Sequence, residues 1–196
     1  MRKAAFCILT AVLMIGCGST HARRYFEIRS VAPGEPTLPK IERRLLVEAP
    51  SVDPLYDDIR ILYRVSPFEL KYYPYEFWAE KPEKQIGAAM ADYFGKKKVF
   101  PAVSRDPRME SPEIVLKSRL HAIEEIDNPD VWQARLAMDL EFVDVKTGKP
   151  IISWTFDRKG QMAKGHVGDL PVVLSRILEE ELAKATWELA RTLEKK

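Results

Sequence analysis

The stretch Trp132–Arg158, WQARLAMDLEFVDVKTGKPIISWTFDR, decides the fold. Two extended segments, Trp132–Val145 and Pro150–Arg158, flank the short link Lys146-Thr147-Gly148-Lys149. A link of that length closes an antiparallel pair, whereas a parallel pair needs a crossover of a dozen residues or more. A third extended segment, Glu113–Glu125, precedes them across another short connection, so the three are expected to form an antiparallel meander. Upstream of the meander, Phe100–Val103 reads as a short strand. Before that, Ile86, Ala89, Met90, Tyr93 and Phe94 recur at three and four residues and define a helix that packs one face on the sheet. Pro82 suits its first turn and Gly95 the left-handed residue after its end. Ile59, Ile61, Tyr63 and Val65 alternate with polar or outward neighbours. Ser66-Pro67 turns the chain, and Phe68–Tyr72 returns as the partner strand of a hairpin. Further upstream, Tyr25–Ile28 reads as a first strand, Pro33, Gly34, Pro36 and Pro39 as a loop, and Arg44–Glu48 as a second short extended run. Downstream, Leu170, Leu174, Ile177, Leu178, Ala185, Leu189 and Leu193 mark a long amphipathic helix capped by Gly168 or Asp169, with Pro171 in its first turn. Two helices and a mixed sheet make an α/β or α+β domain.

The first residues have a different character. Met1, Arg2 and Lys3 form a short positive opening, followed by an apolar run from Ala4 to Ile15 broken only by Thr10. That run is shorter than the roughly 18 to 20 residues that span hydrocarbon as a helix, so residues 1–16 read as a secretion signal. Met14-Ile15-Gly16-Cys17 fits the lipobox in which the cysteine sulfur is acylated, which makes Cys17 the expected lipid anchor. Residues 17–23 are then a lipidated tether and residues 24–196 the folded domain. Diacylglycerol on the sulfur and an N-acyl chain such as palmitate hold a protein at a bilayer, because each buried methylene contributes about 0.8 kcal/mol.

Processing also changes the charge. The full chain carries 31 Lys and Arg against 29 Asp and Glu, and removing Arg2 and Lys3 leaves the two counts equal. No net basic charge remains to neutralise phosphates, which argues against nucleic acid as a partner. Cys7 leaves with the signal and Cys17 is consumed by lipid, so the mature chain is expected to have no thiol for a disulfide, a nucleophile or zinc.

The lipobox at Cys17, the Tyr25-Phe26-Glu27-Ile28 strand, Tyr63-Arg64, Leu70, Tyr72-Tyr73 and above all Phe77-Trp78-Ala79-Glu80-Lys81-Pro82 stand in a familiar order. Phe100, Val103, Leu116, Leu120, Ala134–Leu140, Asp144, Gly148 and Trp154 continue it. On these residues the chain resembles the ABC-type transport auxiliary lipoproteins, the PqiC-like family of Gram-negative envelopes. The resemblance covers nearly the whole mature domain. It implies a three-layer α/β/α domain similar to the N-terminal domain of TolB, with a mixed, partly antiparallel sheet and two main helices. It also implies partners: an MCE-domain protein and an ABC permease and ATPase that move phospholipid between membranes and support membrane integrity. Self-association is left open.

Candidate chemistry in the residues themselves is thin. His21 lies in the tether, His121 on a strand and His166 in a Gly-containing loop, with no metal-ligand or H-E-x-x-H spacing. Gly160, Gly165 and Gly168 resemble a phosphate loop only superficially, because His166 and Val167 stand where Lys and Ser or Thr are needed. Glu124, Glu125, Asp127 and Asp130 read as solvated turn residues, and Glu179, Glu180 and Glu181 as a charged helical face. Neither a cofactor, a metal nor a catalytic residue is expected. The densest aromatic segment, Tyr72, Tyr73, Tyr75, Phe77 and Trp78, is the candidate partner interface, since rings with polar tips are enriched where proteins meet. The preferred reading is a non-enzymatic outer-membrane lipoprotein at the periplasmic face. Gly18 after the cysteine, in place of Asp, favours sorting to the outer membrane. An envelope scaffold outside lipid traffic and a lipid-anchored hydrolase are the alternatives; the hydrolase would hold His121 or His166 near a carboxylate in a closed pocket.

Overall fold

A computed structural model describes residues 21–30, 38–108, 110–128 and 131–195. The signal, Cys17, the start of the tether, Pro33, Gly34, Pro36 and Asp130 lie outside the described residues.

The meander is the spine of the fold. Strands β7 (Ile114–Asn128), β8 (Val131–Asp144) and β9 (Pro150–Gln161) pair antiparallel in sequence order. The free edge of β7 receives three shorter strands in succession, all parallel to it: β2 (Leu45–Val47), β3 (Ser51–Val52) and β4 (Arg60–Ser66). Strand β5 (Glu69–Trp78) folds back antiparallel on β4, and β1 (Arg24–Phe26) adds parallel to β5. Strand β6 (Val103–Ser104) lies beside β2. The sheet is therefore mixed and partly antiparallel, as expected.

Strand β5 runs several residues beyond the expected Tyr72 and contains Pro74, which lacks the N–H a sheet interior needs. It fits because the β4 pairing slips here, from Leu62 opposite Tyr72 to Arg60 opposite Phe77, and the proline falls in the irregular stretch between.

Helices α1 (Pro82–Lys97) and α2 (Asp169–Glu194) are the two main helices. The predicted stripe of α1 is buried in full, and Phe94 meets Phe142 of β8 edge-on at 6.2 Å. Burying Ile86, Met90, Tyr93 and Phe94 contributes on the order of 1.5–3 kcal/mol each. The helix does not stop at Gly95. It continues to Lys97, and Lys98 takes the left-handed conformation at φ 51°, its N–H bonding the carbonyls of Gly95 and Phe94. Helix α2 lies over β8 and β9 and touches α1, so both helices stand on one face of the curled sheet. Gly160 in β9 is a close-packing residue: a Cβ there would overlap Val173 Cγ1 of α2. The other face of the meander carries Lys117, Arg119, Arg135, Asp139 and Glu141 and is partly covered by a single 3-10 turn, Pro54–Tyr56.

Among the described residues no helix is long and apolar enough to cross a membrane.

Candidate partner surface and buried polar clusters

The chain that leaves the tether is fixed to the body of the domain within ten residues. The Ile28 N–H donates to Gln85 Oε1 at 2.7 Å, and the Gln85 amide donates back to the Glu80 carbonyl at 2.7 Å. The Arg29 N–H donates to Ser175 Oγ at 3.2 Å, Ser30 Oγ donates to Glu179 at 2.8 Å, and Lys96 Nζ donates to the Ser30 carbonyl at 3.1 Å. Both helices therefore hold the segment after β1. Any pull on the tether is delivered to the core and not to a loose terminus.

The five predicted interface rings lie on β5 and differ in burial. Trp78 is 2% exposed and belongs to the core. Tyr72 and Tyr73 are half-buried and pack against the core. Tyr75 remains 41% exposed and stacks on His21 at 5.1 Å. Phe77 is half-buried beneath Tyr25, which is 58% exposed, at 5.7 Å between ring centres, with the Arg23 guanidinium over the same ring. The accessible part of the segment is thus Tyr75 and the margin of Phe77. Tyr25, missed by the sequence reading, completes it because β1 pairs Tyr25 directly with Phe77. Arg24 closes the row by an ion pair to Glu76 at 2.8 Å.

Glu124 and Glu125 are not solvated turn residues. Strand β7 extends past them to Asn128, and both are fully buried on opposite faces. Glu124 accepts from Arg64 Nε and Nη2, both at 2.9 Å, from Arg135 Nη1 at 2.8 Å and from the Tyr56 hydroxyl at 2.8 Å. Burial pushes its carboxyl up, but these hydrogen bonds outweigh burial and hold it below the ordinary carboxylate value. Arg135 also pairs with Asp157 at 2.7 Å, so the cluster joins β4, β7, β8, β9 and the 3-10 turn.

On the helix-side face, Glu125 has one strong partner, the Tyr73 hydroxyl at 2.8 Å, while its Oε2 and the Trp132 indole N–H are buried without hydrogen bonds. Burial, reinforced by Asp127 and Glu76 and opposed by the Tyr73 bond, raises its pKa to about 7. Glu181 also departs from the expected charged face: it is buried, accepting from Trp154 Nε1 at 3.0 Å and Lys184 Nζ at 2.6 Å.

His121 does meet carboxylates. Its Nε2 lies 2.6 Å from Asp139 and its Nδ1 lies 3.6 Å from Asp53, and Asp139 with Arg119 lines a shallow groove open to solvent. The neighbouring hydroxyl of Thr155 donates to Asp139 and not to the imidazole, so this arrangement poises no hydroxyl nucleophile on the histidine. Among the described residues no cluster of three or more His, Cys, Asp or Glu is disposed to hold a metal ion.

The fold defines a class: small mixed α/β domains with a helix pair laid on a curled sheet. A crystal structure of a Xanthomonas campestris protein of the DUF330 family shares it at a TM-score of 0.70. The identity is 19%, over 85% of this chain and 91% of that one. A second crystal structure, of an uncharacterized protein, agrees at a TM-score of 0.69 and 15% identity, over 86% of this chain and 99% of that one. No curated protein matches the chain in sequence. The chain belongs to the ABC-type transport auxiliary lipoprotein component family, whose model matches residues 26–185. It is thus a family member associated with ABC-type transport and anchored in the cell envelope as a lipoprotein.

Proposed function

We propose that this protein is an outer-membrane lipoprotein, held at the periplasmic face by acyl chains on Cys17, that docks an ABC/MCE-type phospholipid transport system without performing a catalytic step. The observation that carries the reading is the coincidence of tether and docking edge. Strand β1 follows the tether directly, leads into a segment held by both helices, and presents Tyr25 against Phe77, with Tyr75 on the same adjoining strand. A partner that grips this edge grips the element joined to the membrane. Family membership across the domain supplies the transport context.

Envelopes solubilised in detergent test it. Affinity capture of the full chain is expected to recover an MCE-domain protein with its permease and ATPase, and the double variant Y25S/Y75A is expected to reduce that recovery. Capture of none of the three by the native chain contradicts the reading.

A further inference from the structure

Phe68 is the most exposed large apolar residue described, at 98% of its full accessibility. It sits at the tip of the β4–β5 hairpin, where Ser66 pairs with Glu69 across the two-residue link Pro67-Phe68. Such links favour Asn, Asp or Gly for their conformational freedom, and a bulky ring gives the turn nothing. The tip itself is held firmly: Arg64 Nη1 donates to the Pro67 carbonyl at 3.3 Å and the Phe68 N–H donates to Ser66 Oγ at 3.3 Å.

The direction of the tether identifies what lies opposite the ring. Strand β1 is parallel to β5, with Arg24 opposite Glu76 and Phe26 opposite Trp78, so the chain preceding β1 runs back towards the hairpin tip. His21 confirms the direction by stacking on Tyr75. Between Arg60, opposite Phe77, and Ser66, opposite Glu69, the hairpin is six β4 residues long, about 20 Å at a rise near 3.3 Å per residue. From His21 to Cys17 is at most about 14 Å of fully extended chain. A tether of that length, leaving β1 on the side of the hairpin tip, keeps the Cys17 sulfur within reach of the tip. A bilayer that holds acyl chains on Cys17 therefore lies within reach of the tip, and interfacial apolar faces bury roughly 5–10 Å into it. Charge does not oppose this. Lys71 pairs with Glu69 at 3.0 Å, and Arg64 is committed to Glu124. Asp127, near the adjacent end of β7, favours a neutral lipid surface over an anionic one.

We propose that the β4–β5 hairpin is a second membrane contact, with Phe68 inserted at the interface of the same bilayer that carries the lipid on Cys17. The proposal rests on the anchor reading above. Together the two contacts fix the orientation of the domain on the membrane, which a flexible tether alone would leave free.

The test uses the full chain purified from membranes and reconstituted into phosphatidylethanolamine-rich vesicles. F68C is labelled with an environment-sensitive fluorophore. V145C, at the opposite end of the meander and also exposed, serves as the comparison. The Phe68 side chain is almost wholly in solvent, so F68C is expected to fold normally. The expected result is a blue-shifted probe at position 68 that loses fluorescence to lipids bearing a shallow nitroxide, with the probe at 145 unaffected. A wild-type chain that takes up label at Cys17, or that does not float with the vesicles, overturns the anchor and the hairpin contact with it. A chain that floats while its probe at 68 stays unquenched overturns the hairpin contact alone. So does a probe at 68 that becomes dry only when a partner protein or more of the same chain is added.

Discussion

Replacing Glu125 by Gln is expected to flatten the dependence of stability on pH between 5 and 8. In the native protein burial raises the Glu125 pKa from 4.5 to about 7, while in the unfolded chain it returns to the ordinary value. Below pH 4.5 the carboxyl is protonated in both states and has no differential effect. As pH rises from there to 7 the unfolded chain ionises and the native chain does not, so stability falls, and above 7 the loss is complete. The full difference corresponds to about 3 kcal/mol at 1.36 kcal/mol per unit, of which about 2–3 kcal/mol is lost between pH 5 and pH 8. Glutamine keeps the carbonyl that accepts from the Tyr73 hydroxyl and never ionises. Urea unfolding across this range therefore separates the two chains: near-equal stability at pH 5, and E125Q more stable by about 2 kcal/mol at pH 8. Parallel pH profiles for wild type and E125Q would show that Glu125 does not stay protonated in the fold, and the argument from its burial would fail.

Other consequences can be measured in the same way. E124A leaves Arg64, Arg135 and Tyr56 without their common acceptor and is expected to cost about 3 kcal/mol in urea unfolding, the low end for a broken buried pair because both arginines reach solvent. G160A drives a Cβ into Val173 Cγ1 and is expected to cost about 1–3 kcal/mol, with V173A recovering part of the loss in a double-mutant cycle. K98G relieves a left-handed residue at the end of α1 and is expected to stabilise by about 1 kcal/mol, seen as a raised Tm.

Much of the fold is legible in the sequence because its elements announce themselves locally. The stripe from Ile86 to Phe94 has the helical period, and the link around Gly148, whose φ is 67°, closes the hairpin as its residue types demand. What is not legible depends on distant partners. Glu124 and Glu125 look like turn residues by type, yet residues about 50 to 70 positions away, Tyr56, Arg64 and Tyr73, make their burial tolerable. Lys98 overrides Gly95 at the helix end because Val99 and Phe100 must enter the core, which sets where the chain turns. The aromatic segment is visible in the sequence as a cluster, but only the fold separates buried Trp78 from exposed Tyr75, and the strand pairing brings Tyr25 to the same edge. Phe68 is indistinguishable in the sequence from a strand residue, and only the two-residue link that the fold makes of Pro67 and Phe68 leaves its ring exposed at the tip.

The account turns on the sulfur of Cys17, and the mass of the mature chain extracted from outer membranes tests it most directly. The predicted mass is that of residues 17–196 plus a diacylglyceryl group and an N-linked acyl chain, and C17A is expected to lose both the added mass and the membrane association. A mature chain without acyl mass, or C17A still firmly held in the membrane, contradicts the account.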